Sequence, residues 1–182
     1  MKYILCILSA GYGKRMLPLT KNINKALLPV NGKAIISHII EKHSDSTEIV
    51  IAVNYEKEKI KEYLNCAYPK RKIIYVDVPK IKGLGSGPGY SLICCREYLN
   101  NPFILTTVDT LFEGDCPAPS ENWMGISETN NPSKFCTVNI NHHKNDITSI
   151  IDKKDQGTNN AFIGIAGIKD YKLFLDNLIN DN

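Results

Sequence analysis

No apolar run in this chain of 182 residues approaches the roughly 20 residues that a membrane-spanning helix needs. Neither sign of charge dominates. Lysine and arginine number 22 against 19 aspartates and glutamates, and a net charge of +3 is too mild to predict a nucleic-acid or membrane-surface partner. Paired cysteine motifs are also lacking. Cys6, Cys66, Cys94, Cys95, Cys116 and Cys136 contain no C-x-x-C, and the adjacent Cys94 and Cys95 are poor disulfide partners. Cys6, Cys94 and Cys136 fall in apolar patterns, where a free thiol behaves as a small hydrophobe. Met1-Lys2 leads straight into a short strand with no signal-peptide pattern, so reduced cysteines in a cytoplasmic protein are expected. Repeats and linkers are absent too. Residues 1–182 therefore read as a single domain, 43% hydrophobic, with enough chain to bury a core without staples.

Two familiar glycine motifs are missing. The phosphate loop G-x-x-x-x-G-K-[ST] occurs nowhere. Gly11-Tyr12-Gly13 fails as a dinucleotide fingerprint, because Met16 stands where a small residue is needed and Pro18-Leu19-Thr20 continues the loop instead of opening a helix. His142-His143 has no third ligand at suitable spacing and reads as an exposed turn, and the lone Trp123 reads as packing.

What is present alternates. Strands are predicted at Lys2 to Leu8, Glu48 to Val53, Lys72 to Val78 and Phe103 to Val108. Helical faces fall between them: Ile35, Ile36, Ile39 and Ile40; Ile60, Tyr63 and Leu64; and the buried run "YSLICCREYL". "FCTVNI", "ITSIID" and "AFIGIAGI" add three strands joined by short turns, and a last helix begins near Asp170. The pattern predicts an α/β fold, a three-layer α/β/α sandwich around a mostly parallel, Rossmann-like mixed sheet. Ligands of such folds sit beyond the carboxyl ends of the strands. The loop from Leu8 to Lys33, the glycine-rich segment "KIKGLGSGPG" and Asp109 all directly follow strands, so all three are expected on one rim.

That first loop, "LSAGYGKRMLPLTKNINKALLPVNGKAII", strongly resembles the signature of the nucleotidyltransferases that activate sugar 1-phosphates, roughly L-A-A-G-x-G-x-R-x-x-P-L-T-x-x-x-P-K-x-L-L-P-V-x-G-K-P-I. Leu8, Ala10, Gly11, Gly13, Arg15, the Pro18-Leu19-Thr20 triplet, Lys25 and the run from Leu27 to Val30 are in register. Ser9, Asn24 and Ala34 depart from it, the last two standing where the pattern has proline. The resemblance implies the nucleotide-diphospho-sugar transferase type of fold and transfer of a nucleoside monophosphate from an NTP to a phosphorylated acceptor, with release of pyrophosphate. Leu8, Ala10, Gly11 and Gly13 would hold the nucleotide, the glycines letting backbone N–H groups approach the triphosphate. Arg15 and Lys25 would carry the catalysis by stabilising charge on the phosphates.

The second loop sits where the family reads roughly G-T-A-G-A-L, which implies that Gly85 and Gly87 lie against the base and ribose. Tyr90-Ser91-Leu92 looks more like the N-x-Y-S-L stretch of relatives that transfer CMP to phosphocholine and similar small acceptors. Asp109 matches the family's metal-binding aspartate, which implies Mg2+ as cofactor. "IIDKKDQGTNN" resembles the E-K-P segment, so Asp152 and Lys153 would contact the acceptor while Lys154 replaces the proline. No W-x-D-x-G-type motif supplies a second metal-binding aspartate, and a missing C-terminal segment is expected. The expected partners are an NTP and a phosphorylated small molecule, with no nucleic acid and no membrane; the sequence sets neither the base nor the oligomeric state. The acceptor stays open between a sugar 1-phosphate and, with CTP, phosphocholine. A nucleotide-binding regulatory module without turnover is the other class, given the departures at Asn24 and Lys154.

Overall fold

The structure is a computed structural model and describes residues 1–80, 82, 83, 86–141, 143, 145–153 and 158–180, side chains at 179 and 180 excepted. In chain order the elements are β1 (Ile4–Leu8), β2 (Pro29–Val30), β3 (Lys33–Ala34), α1 (Ile35–Ile40), β4 (Glu48–Val53), α2 (Lys57–Ala67), β5 (Ile73–Asp77), α3 (Pro88–Cys95), β6 (Phe103–Thr107), β7 (Trp123–Glu128), β8 (Cys136–Asn141), β9 (Asp146–Asp152), β10 (Asn160–Ile168) and α4 (Tyr171–Asn180). The fold is the expected one, a mixed and largely parallel sheet flanked by helices. No helix among the described residues is long and apolar enough to cross a membrane.

Packing divides the chain into two compact units, one of Met1–Trp123 with Gly167–Asn182 and one of Met124–Ala166. In the first, β5, β4, β1 and β6 lie side by side and all parallel, with Ile4 opposite both Glu48 and Phe103. Every residue of β1 is buried, as a central strand covered on both faces requires. Because side chains alternate across a strand, Ile4, Cys6 and Leu8 share one face with Val50, Ala52, Val76 and Val78. On that face they pack with Leu92 and Cys95 of α3 and Leu175 of α4, and the Phe103 ring meets Phe174 edge-on at 6.0 Å. Ile60 and Leu64 are the fully buried positions of α2, one helical turn apart, while the Tyr63 hydroxyl shares a 2.7 Å hydrogen bond with Ser37 of α1. Each fully buried Ile or Leu contributes about 1.5–3 kcal/mol, so this core accounts for most of the unit's cohesion.

In the second unit β8 and β9 pair antiparallel from Cys136 opposite Asp152 to Asn141 opposite Asp146, with a register shift at Asn139/Ile140. β8 also pairs antiparallel with β10, Thr137 opposite Ala161, and β7 pairs with β10. Among the described residues, Thr137, Val138, Ala161, Ile165 and Ala166 are its buried positions.

Two elements differ from the sequence expectation. The first helix covers its apolar face, Ile35–Ile40, but a small hairpin that was not expected precedes it, where Asn31 and Gly32 both take positive φ (49° and 77°) and turn β2 back on β3. Asn-Gly is the pair that tolerates this turn. β7 falls in a stretch that reads as turns. Gly125 obscures it, since glycine weakens a strand pattern, yet a Cβ there would come within 2.6 Å of Ile165 Cγ2. Trp123 is packing, as expected: its indole lies so close to Gly167 that an added Cβ would meet Nε1 at 2.1 Å.

Candidate nucleotide-binding site

The parallel strands deliver several loops to one cavity of about 330 Å³. Leu8, Ala10, Gly11 and Gly13 come to it from the end of β1, Arg15 and Lys25 from the long loop that follows. Gly87 and Pro88 open α3 at its edge, and Thr107, Val108 and Asp109 enter from the end of β6. Of the residues predicted for the nucleotide and metal, Gly85 lies outside the described residues, and all the others line this cavity. Asp152 and Lys153 belong to the second unit. Asp152 closes β9, and Lys153 follows it with φ 43° while its backbone N–H donates to the Phe135 carbonyl at 3.2 Å. Lys154 and His142 also lie outside the described residues.

The loop from Ser9 to Leu28 has little regular structure, yet buried polar groups pin it. Ser9 donates its hydroxyl to the Ala52 carbonyl at 2.8 Å. Gly13 sits in the left-handed region (φ 65°), where an added Cβ would stand 3.0 Å from Thr20 Cγ2. Thr20 is fully buried and donates its hydroxyl to the Gly13 carbonyl at 2.9 Å, closing the loop on itself. The Tyr55 hydroxyl donates to the Thr20 carbonyl at 2.9 Å, and the Tyr12 and Tyr55 rings meet 4.3 Å apart. Asn24, with no exposed surface, donates to the Ser9 carbonyl at 2.9 Å and to the Tyr55 carbonyl at 2.8 Å. Its Oδ1 accepts from the Ala26 N–H at 2.9 Å, capping the 3-10 turn Lys25–Leu27. A buried carbonyl left without its partner costs about 1–3 kcal/mol, so these bonds hold the loop firmly.

Three charges face one another in the cavity. Lys25 Nζ lies 3.4 Å from Asp109 Oδ2, and Arg15 approaches the same oxygen at 3.9 Å. The Thr107 hydroxyl donates to Asp109 Oδ1 and fixes the carboxylate from its other side. Burial pushes the Asp109 pKa up, but the Thr107 hydrogen bond and the Lys25 and Arg15 charges outweigh it and leave the carboxyl below its ordinary value. The Lys25 side chain is 17% exposed and that of Arg15 93%. One cation is therefore held in place, and the other is free to swing onto an incoming anion. At the far edge the Ser91 N–H and hydroxyl both bond the Gly87 carbonyl, at 3.1 and 3.2 Å, so the first turn of α3 is set toward the cavity. A helix N-terminus favours negative charge.

The sequence reading missed Lys14, Lys80 and Thr107, which also line the cavity. Lys80 stands three residues after β5 ends in the first unit, a place where a strand-end cation could have been singled out. Thr107 gave no signal, because a threonine inside a strand pattern reads as β propensity.

A cavity with three converging lysines, an arginine and one carboxylate is suited to a polyphosphate carrying a divalent cation. The model of the nucleotidyl transferase family matches residues 5–88, the segment that supplies most of this cavity. The chain is 31% identical over 153 residues to the bifunctional protein GlmU of Methanococcus vannielii, covering 82% of this chain and 35% of that protein. It is 35% identical over 112 residues to the choline-phosphate cytidylyltransferase of Streptococcus pneumoniae, covering 59% and 45%. The chain thus spans less than half the length of these curated relatives. In fold it is similar to UDP-glucose pyrophosphorylase complexed with UDP-glucose, with a TM-score of 0.79 at 21% identity over 97% of this chain and 80% of that one. With the signature loop, the family model and the curated relatives in agreement, residues 5–88 of this chain are of the nucleotidyl transferase family type.

Proposed function

We propose that this protein transfers a nucleoside monophosphate from an NTP to a sugar 1-phosphate or a similar small phosphorylated acceptor. A phosphate oxygen of the acceptor attacks the α-phosphorus, the bond from that phosphorus to the bridging oxygen breaks, and pyrophosphate leaves. The observation that carries the reading is the Lys25–Asp109–Arg15 group, which the pinned loop and the end of β6 bring into one cavity.

Lys25, the better held cation, stabilises charge around the α-phosphate. Arg15, the exposed one, engages the outer phosphates with its forked donors. The backbone of Gly11 and Gly13 and the first turn of α3 meet the remaining phosphate oxygens. Asp109 fits Mg2+: its carboxylate stays ionised, is fixed by Thr107 and opens onto the cavity. Among the described residues there is no cluster of three or more acidic, His or Cys side chains, and magnesium is commonly held by one or two carboxylates plus substrate phosphates. When bound, that ion would neutralise charge on the triphosphate. Asp152 and Lys153, on the second unit, are proposed as acceptor contacts through the acceptor's hydroxyl and phosphate.

A second reading has support of its own. Tyr90-Ser91-Leu92 and the likeness to a choline-phosphate cytidylyltransferase favour CTP with phosphocholine or another small acceptor. Pyrophosphate release from each NTP, with glucose 1-phosphate, N-acetylglucosamine 1-phosphate or phosphocholine added, separates the two. Release that survives Lys25→Ala and Asp109→Ala at the wild-type rate would sink both. Nucleotide binding without release for any acceptor would point instead to a regulatory module.

A further inference from the structure

Asn24 stands where the signature has a proline, and the chemistry of the replacement is unusual. Its φ of −69° is the angle a proline ring would fix, so the backbone path of the signature is kept. What the asparagine adds is a fully buried amide whose hydrogen bonds tie three segments together. Nδ2 holds the Ser9 carbonyl at the end of β1 and the Tyr55 carbonyl just beyond β4. Oδ1 caps the 3-10 turn that begins at Lys25. A proline would offer none of these bonds.

We propose that Asn24 is the positioning residue of this site. By bolting the Lys25 turn to the carboxyl ends of β1 and β4, it aims the Lys25 amine at the Asp109 side of the cavity before any nucleotide arrives. Lys25 Nζ reaches the Asp109 carboxylate at 3.4 Å from a side chain that is largely covered, as a side chain with a fixed base would. Asn24 itself touches no phosphate and acts through Lys25 alone. The inference rests on the reading of Lys25 as the cation of the transfer step, and its test has one arm that does not.

That arm is the chemistry of the Lys25 amine itself. The whole chain is treated with acetic anhydride, and the acetylation of each lysine is followed by mass spectrometry in wild type and Asn24→Ala. The expected result is a severalfold rise in Lys25 labelling with Lys57 and Lys72 unchanged. Lys25 labelling at the wild-type rate in a folded variant would overturn the proposal. In the activity arm, Asn24→Ala is expected to lower kcat for pyrophosphate release about tenfold, the scale of losing a preset geometry, with KM for the NTP nearly unchanged. Asn24→Ala placed on Lys25→Ala should add no further loss, and a full extra loss would overturn the proposal.

If Asn24→Ala does not fold, Asn24→Thr decides, because its hydroxyl can still cap the turn while both bonds to Ser9 and Tyr55 are lost. It should show intermediate Lys25 labelling, and wild-type labelling would count against the role. Should Lys25→Ala leave the rate untouched, the transfer reading fails, and the labelling still answers for Asn24.

Discussion

The loop from Ser9 to Leu28 and the strand β9 make an instructive pair. Both carry residues expected to touch substrate, and both look polar in sequence. The loop has little regular structure, yet Ser9, Thr20, Asn24 and Ala26 within it are buried, and hydrogen bonds tie it at Ser9, at Gly13 with Thr20, and at Asn24. β9 is regular and laddered to β8, yet six of its seven residues are exposed, with Ile150 at 59%. Regular structure and fixed geometry are therefore separate properties. A phosphate site needs donors held before the ligand arrives, and here the backbone carbonyls and buried amides supply that order. Lys153, proposed to contact the acceptor, stands by contrast at the exposed end of β9.

The contrast can be broken first at the charged group. Lys25→Ala or Asp109→Ala should slow pyrophosphate release by about 100- to 1,000-fold, the scale of losing one preset charge. Steady-state rates at saturating nucleotide check this, and a loss of less than threefold would mean that the pinned loop aims nothing.

Next comes stability in the same unit. Burial, with the Arg71 and Lys42 charges nearby, pushes His43 down from 6.5 to about 4, and its Nδ1 meets the Tyr3 hydroxyl at 3.1 Å. The unfolded chain therefore takes up a proton first. Stability is full above pH 6.5 and falls as pH drops toward 4, by about 3 kcal/mol. Urea unfolding at pH 7 and pH 4.5 should show this loss in wild type and much less of it in His43→Gln. Equal losses in the two proteins would contradict it.

Gly13→Ala probes the loop more gently. A side chain in the left-handed region costs about 1–2 kcal/mol, and this one also presses on Thr20. A lower melting temperature together with weaker nucleotide binding is expected, and unchanged values for both would show that the loop yields.

How much of this was legible beforehand follows the physics. β1, β4, β5 and β6 were readable as nearly continuous apolar runs, the pattern that the buried interior strands β1 and β4 require, and the rim followed from their parallel order. β7 was not, since its glycine serves the packing against β10 and weakens the strand pattern. In the site, Arg15, Lys25 and Asp109 were legible through the resemblance of their segments to the family pattern, since as isolated residues they read as ordinary loop and turn positions. Asn24 read as a departure that weakened the match, because a side chain's partners at positions 9, 26 and 55 cannot be seen along one chain. Thr107 was silent for the same reason.

On β9 and its turn the expected effects are smaller and more local. Lys153→Ala should raise the acceptor concentration at half-saturation roughly tenfold, the worth of one charge-assisted hydrogen bond, while nucleotide binding stays as in wild type. An effect on nucleotide binding alone would reverse its assignment. Ile150→Thr, on a surface position, should shift stability by no more than about 0.5 kcal/mol, and a larger loss in urea unfolding would mean that this face is packed in solution.

Whether this cavity takes a triphosphate is answered first by a thermal-shift panel with ATP, CTP, GTP, UTP and dTTP, each with and without Mg2+, on wild type and Lys25→Ala. At least one nucleotide is expected to stabilise the wild type, by about 2.7 kcal/mol at 100 times its dissociation constant, with a smaller gain in the variant. No shift with any nucleotide, or the same shift in both proteins, would contradict the assignment of this cavity to the triphosphate.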